Sequence, residues 1–281
     1  MRSSVHAFTR MLNKYANPKT GKVIVLLIIL QFCLTPLISL FWPFSESGWS
    51  QEDYSILLST YSYTMIVLGV LIFRAQKQDF VFDSLSLWMI VFGCVFRPST
   101  GSEYDAISSL YLGALGLGFA IYLIAYRKAI VVPTIRTMSI SILWAIVTVV
   151  ILSMVAAMIS AVNYSSFPVD IEKMFLVRFF EQVSFVTVIE ETMFRGLLVG
   201  FLILNGYKES AAFAIQAILF WGAHYAQINN PLVFFVFLPL LVFSLTMIVQ
   251  KHKILFASIL VHTLVNVFAT SLAAWLQILI F

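Results

Sequence analysis

Apolar runs of helical length, separated by short polar or charged segments, recur along the chain. A helix needs roughly 20 mostly apolar residues to cross a bilayer, and the runs at 23–42, 54–73, 80–96, 106–126, 138–161, 181–205, 210–227, 232–250 and 254–280 predict membrane spans. The third run is short and carries Asp83, so eight spans with an interfacial segment fit the same pattern. No soluble domain fits between the runs. The expected fold class is all-α, a polytopic transmembrane helical bundle of about eight or nine spans. Pro36 and Pro239 fall inside spans, where a kink is tolerated because neighbouring helices satisfy the freed carbonyl.

Two segments break the pattern. Residues 163–180 mix charge with Phe, Met, Leu and Ile at helical spacing. They read either as an interfacial segment or as a connecting loop that continues into the sixth span. The run GALGLG at 113–118 supplies small residues that let helices approach closely. It follows no strand, which argues against a nucleotide-binding loop.

Composition agrees with the pattern: of 281 residues, 61% are hydrophobic and 11% charged, against about 25% charged in a soluble domain. The mean hydropathy is +0.97. A net charge of +4 would suggest a nucleic-acid partner in a soluble chain. Here the basic residues sit in loops beside apolar spans and report topology, so no nucleic acid is expected. Thirteen of the seventeen basic residues, from Arg2 to Lys253, collect on one side, and Arg97, Lys173 and Arg178 collect on the other. This places the N-terminus in the cytoplasm and, with nine spans, the C-terminus outside. The apolar run after the basic N-terminus is too long for a signal-peptide core and no small-residue cleavage pattern follows, so it reads as a retained anchor. Cys33 and Cys94 lie in separate apolar stretches without C-x-x-C spacing, and both read as buried thiols.

Candidate chemistry begins at 189–196, IEETMFRG, inside the sixth run. A charge at the bilayer centre costs about 2.5–3.5 kcal/mol on insertion scales, so Glu190, Glu191 and Arg195 together need a reason. Glu191 and Arg195 are four apart and can pair on one helix face. Glu190 is rotated about 100° from Glu191, which leaves its carboxylate free to point into a cavity. His224 and His262 also lie in spans, and Asn266 shares a helix face with His262.

Each member has a plain structural reading. A buried Glu–Arg pair can be a lock between helices, a lone buried His a satisfied hydrogen-bonding residue, and an Asn helix–helix glue. Together they exceed what a lock needs. A carboxylate beside a neutral imidazole can deprotonate and orient water, and a second imidazole with an amide can stabilise a tetrahedral oxyanion. That combination is peptide-bond hydrolysis. Zn²⁺ held by Glu190, His224 and His262 is an alternative use of the same groups, although H-E-x-x-H spacing is lacking. No cofactor is required.

Taken in order, Glu190-Glu191-Thr-Met-Phe-Arg195, then Phe220 to His224 in FWGAH, then His262 to Asn266 in HTLVN, resemble the E-E-x-x-x-R, F-x-x-x-H and H-x-x-x-N motifs of the CPBP intramembrane proteases. That family includes the type II CAAX prenyl endopeptidases and bacterial proteins linked to bacteriocin processing and self-immunity. The resemblance covers roughly 170–281, which divides the chain into N-terminal transmembrane helices, 1–169, and a C-terminal catalytic helical core, 170–281. It implies that Glu190 activates water, His224 helps bind that water, and His262 with Asn266 forms the oxyanion hole. Glu191, Arg195 and Phe220 would then support the site or the substrate. The span limits put His224 near the outer end of its span and His262 nearer the inner end.

The expected activity is an intramembrane endopeptidase acting on a membrane-embedded or lipidated peptide or protein, in the bilayer of a bacterial plasma membrane. The first rival is a non-proteolytic scaffold of the same family, an immunity or regulatory partner of another membrane protein. The second is a proton-coupled transporter, which paired halves with broken spans would support. The polar residues are instead confined to the C-terminal half.

Overall fold

The computed structural model describes Val23, Leu27 and residues 51–75, 81–96, 104–127, 130–161, 171–225, 228 and 230–280. Apart from Val23 and Leu27, the first predicted span lies outside these residues, as do Cys33, Pro36 and residues 163–170. Among the described residues the regular elements are helical, with one isolated bridge between Asp83 and Val131. In chain order they are α1 (Gln51–Ala75), α2 (Ser84–Val95), α3 (Asp105–Ala125) and α4 (Ile135–Ala161). A continuous helix α5 over 171–204 follows, then α6 (Glu209–Ala223), α7 (Val233–His252) and α8 (Leu255–Ile280).

Four of these helices are long and apolar enough to cross a membrane: Ser55–Arg74, Asp105–Ala125, Ile135–Ile159 and Val233–His252. Ser84–Val95, Glu209–Ala223 and Leu255–Phe268 are shorter apolar helices. Large apolar side chains on α3 and α4, among them Ile107, Leu110, Leu117, Leu143 and Ile146, point outward. A surface this apolar suits hydrocarbon rather than water.

Residues 171–181 are helical and run directly into the site helix, so this part of the 163–180 segment extends α5 instead of forming a connecting loop. Asp83 stands just before α2 and caps it, its Oδ1 accepting from the backbone N–H groups of Leu85 and Ser86. Its Oδ2 accepts the N–H of Phe256 at the start of α8. One carboxylate therefore closes two helix N-termini, each of which leaves four unbonded N–H groups. Gly116, within GALGLG, lets α3 approach α2 so closely that a Cβ there would lie 2.8 Å from the Cβ of Cys94. Cys94 itself is buried, as expected.

The core has two lobes. One gathers α1, α2, α3, α5 and α6 around residues such as Tyr63, Phe73, Leu87, Phe194 and Phe220. The other gathers α4, α7 and α8 around Val149, Leu241, Leu245 and Val261. Helix α8 belongs to both, packing on α4 with one side and on α5 with another.

Pro239 leaves a specific mark on α7, whose first part, Val233–Phe237, is π-helical. There the N–H of Leu238 bonds to the carbonyl of Val233, five residues back. The next bond in that register would join residue 239 to Phe234, but proline has no N–H. The indole Nε1–H of Trp221 on α6 donates to the Phe234 carbonyl instead, at 2.9 Å. The predicted kink is thus repaired by a neighbouring helix.

Candidate active site

The site lies where α5, α6 and α8 meet. Helix α5 contains two π-helical stretches, Gln182–Val186 and Thr192–Leu198, with one short α-helical piece, Thr187–Glu191, between them. That piece carries both adjacent carboxylates. The first π stretch is buttressed by Tyr63 of α1, whose hydroxyl donates to the Ser184 carbonyl at 2.5 Å. Gly93 makes room for it, since a Cβ there would collide with the Tyr63 hydroxyl.

The two glutamates have separate environments. Glu191 is fully buried, and its Oε1 accepts from Arg195 Nη1 at 2.5 Å and from His262 Nδ1 at 2.8 Å. The expected i, i+4 pair is present, and the same oxygen also anchors an imidazole from another helix. A carboxylate that pairs with Arg only accepts, so the Nδ1 of His262 carries the hydrogen. This turns His262 Nε2 toward Glu190.

Glu190 faces both imidazoles. Its Oε1 lies 3.8 Å from His224 Nε2 and its Oε2 lies 3.9 Å from His262 Nε2. The Glu190 and His224 side chains are each 17% exposed, while that of His262 is 4% exposed. His224 Nδ1 is 2.8 Å from the Phe220 carbonyl. A carbonyl accepts, so in neutral His224 the hydrogen sits on Nδ1 and the Nε2 lone pair faces Glu190.

The offset in depth between His224 and His262 disappears in three dimensions. Helix α6 ends at Ala223 with His224 at its C-cap. At about 1.5 Å per residue it spans only about 22 Å, less than the roughly 30 Å hydrocarbon core. Its end stands level with Glu190, which His224 Nε2 approaches to 3.8 Å.

Phe220 is the ring that these groups share. Its centroid is 4.6 Å from that of His224 and 5.9 Å from that of His262. The Arg195 guanidinium carbon lies 4.5 Å from the same centroid. Cation–π contact supplements the single carboxylate bond of a buried cation. Phe220 thus contributes both a surface and the carbonyl that sets the His224 tautomer.

Asn266 donates its Nδ2–H to Gln182 Oε1 at 2.8 Å. Beside it, the hydroxyls of Thr187 and Thr263 are 2.7 Å apart. Gln182, Thr187 and Thr263 have no counterpart among the sequence-derived site residues. Singly, a Gln or Thr in an apolar run is unremarkable, and helical spacing does not connect them.

Glu190, His224 and His262, the residues named as an alternative zinc set, meet at the site. One nitrogen of His262 is committed to Glu191, and the Glu190 oxygens face two different imidazoles 3.8 and 3.9 Å away. Among the described residues no group of three His, Cys, Asp or Glu side chains is gathered closely enough to hold a metal ion.

Comparison with curated proteins and with solved structures gives no match. Residues 172–268 match the family described as Type II CAAX prenyl endopeptidase Rce1-like. The matched segment contains Glu190, Glu191, Arg195, Phe220, His224, His262 and Asn266. That segment is about a third of the chain, and over it the sequence that carries the buried carboxylates and imidazoles is similar to the type II CAAX prenyl endopeptidases.

Proposed function

We propose that the protein is an intramembrane endopeptidase that hydrolyses a peptide bond in a membrane-associated, lipidated peptide or protein with water activated by Glu190. The observation that carries this reading is a carboxylate with an imidazole Nε2 opposite each oxygen, at 3.8 and 3.9 Å. These gaps are too wide for a direct hydrogen bond and suit a bridging water.

In the proposed reaction the water donates one hydrogen to Glu190 and the other to His224 Nε2, which directs its oxygen lone pair at the scissile carbonyl. As the C–O bond forms, the water proton passes to Glu190. The oxyanion is stabilised by Nε2–H of His262 and the amide of Asn266. Collapse of the tetrahedral intermediate breaks the C–N bond, and Glu190 returns the proton to the leaving amine. Donation from Nε2 while Nδ1–H is bonded to Glu191 requires the imidazolium form of His262. Glu190, Glu191, Arg195 and that imidazolium then sum to zero charge, which suits an apolar interior. No metal enters the scheme.

The topology belongs to the same proposal: eight or nine spans, a cytoplasmic N-terminus and a bacterial plasma membrane as the site of action. The 1–169 helices would form the membrane scaffold and 170–281 the catalytic core.

The test compares wild type with Glu190→Gln and His224→Ala in proteoliposomes, using an internally quenched peptide that ends in a prenylated CAAX sequence. Mass spectrometry of membranes from matching strains extends it to unknown substrates. Cleavage by wild type alone, unaffected by a zinc chelator, is the expected result. Wild-type turnover in either variant would overturn the assignment. A phenotype that survives Glu190→Gln without any change in peptide fragments would favour the non-proteolytic partner.

A further inference from the structure

Helices α6 and α7 run antiparallel and touch at three levels. At one end Lys253, just after α7, pairs with Glu209 in the first turn of α6. In the middle Thr246 Oγ1 donates to Gln216 Oε1 at 3.3 Å, and at the other end the Trp221 indole donates to the Phe234 carbonyl. Beside these contacts a recess of about 520 Å³ runs from Ser210 and Gln250 to Trp221 and Phe235. Ala214 and Ala217 line it, and their short side chains leave room that larger ones would take. Ile218, Phe235, Phe243 and Met247 at its rim are exposed, so it opens toward hydrocarbon. Among the described residues its lining includes none of Glu190, Glu191, Arg195, His224 and His262. It is a feature separate from the active site.

Its length and its charge point to one kind of occupant. Ser210 and Trp221 are eleven residues apart on α6, about 16 Å along the axis. One leaflet contributes about 15 Å, half of the hydrocarbon core, so the recess takes the depth of one acyl chain. From Ser210 to Gln250 the sequence has no Asp, Glu, Lys or Arg, whereas Lys208, Lys251 and Lys253 gather around the one acid Glu209 where α6 begins and α7 stops. Lys251 is turned toward α4, its Nζ 4.9 Å from the Trp144 ring centroid. Lys253 Nζ is 5.7 Å from the ring centroid of Phe213, which lines the recess, and Lys208 is exposed two residues before Ser210. Lysines at a bilayer surface attract anionic headgroups. An uncharged recess with cations at one mouth therefore matches an anionic head on an apolar tail.

We propose that the recess between α6 and α7 binds one anionic phospholipid from the lysine-bearing side of the bilayer, its headgroup at Lys208 and Lys253 and one acyl chain lying along Ala214 and Ala217 to Trp221. The occupant is a bilayer lipid rather than the lipid of a substrate, because the lysines stand where α6 begins while His224, facing Glu190, stands where it ends. The site does not depend on the hydrolytic reading, and a chain without protease activity would bind the same lipid.

The test is native mass spectrometry of the full chain in detergent with added dioleoyl-phosphatidylglycerol or dioleoyl-phosphatidylcholine, which share their acyl chains and differ in headgroup charge. Wild type is expected to retain one phosphatidylglycerol at least about tenfold better than phosphatidylcholine, the scale of two lysines beside an anionic surface. Lys208→Gln combined with Lys253→Gln should bring the two lipids to within about threefold of each other. Ala214→Phe, which fills the recess, should lose the bound lipid with its thermal midpoint in lipid-free detergent unchanged, and Ala217→Leu serves the same purpose if that variant does not accumulate. Equal retention of the two lipids by wild type would mean unspecific boundary lipid and overturn the proposal. A preference that survives the double lysine variant, or binding that survives the filled recess, would place the lipid elsewhere and overturn it as well. Displacement of phosphatidylglycerol by the prenylated peptide would assign the recess to the substrate's lipid instead.

Discussion

Asp83 and Glu190 are both acids within apolar surroundings, and the protein uses them in opposite ways. Asp83, 1% exposed, accepts backbone hydrogen bonds from Leu85, Ser86 and Phe256. Its lone pairs are spent on joining α2 to α8. Glu190 has imidazoles opposite both oxygens, beyond hydrogen-bond distance. The difference lies in saturation rather than burial: fixed backbone donors make a carboxylate architectural, whereas side chains standing one water away leave it available to a reactant.

Glu191 sharpens the comparison, being one residue from Glu190 yet bonded directly, through its Oε1, to Arg195 and His262. Glu190→Gln is expected to lower hydrolysis at least about 10²-fold, within the range for a general base, with the thermal midpoint in detergent unchanged. Glu191→Ala would leave Arg195 buried without its counter-charge. Breaking a buried pair on one side costs about 3–5 kcal/mol, so that variant should fail to accumulate. Yield, thermal melting and turnover, measured together, separate the two adjacent positions. A stable, active Glu191→Ala would break the distinction.

Asp83→Ala should be milder. Two N-caps are lost, at about 1 kcal/mol each, so stability should fall by about 2 kcal/mol. Turnover per folded molecule should not change. A loss of rate without a loss of stability would mean that the junction between α2 and α8 reaches the site.

The contrast between these acids was only partly legible in the sequence. Apolar run length located the helices of the described region to within a few residues, apart from α5, which begins ten residues before the predicted 181, because desolvation of the backbone in an apolar medium leaves little choice but helix. The i, i+4 spacing of Glu191 and Arg195 correctly paired them. What was hidden depended on departures from the 3.6-residue period or on contacts between distant segments. Gln182 became visible only through a π stretch. Asp83 read as a charge weakening a span because its partner Phe256 is 173 residues away. The common depth of His224 and His262 required knowing that α6 stops at Ala223. The second function of Phe220, holding the His224 tautomer, belongs to its backbone carbonyl, which no side-chain motif displays.

The smallest predicted effect asks whether saturation also governs a carbonyl. In α7 the Phe234 carbonyl is served by Trp221 because Pro239 cannot serve it. Trp221→Phe removes that donor and should cost about 1–3 kcal/mol, the range for a group left unsatisfied in an apolar region. Some of that loss reflects packing, since Trp221 also stacks on Phe234 with centroids 5.1 Å apart. Pro239→Ala separates the contributions by restoring an N–H in the i→i+5 register. If the carbonyl is what matters, Trp221→Phe should cost less in the Pro239→Ala background than alone, as thermal melts of the four variants would register. Equal costs in both backgrounds would assign Trp221 to packing, and the indole hydrogen bond would then be incidental to how α6 is held against α7 beside His224.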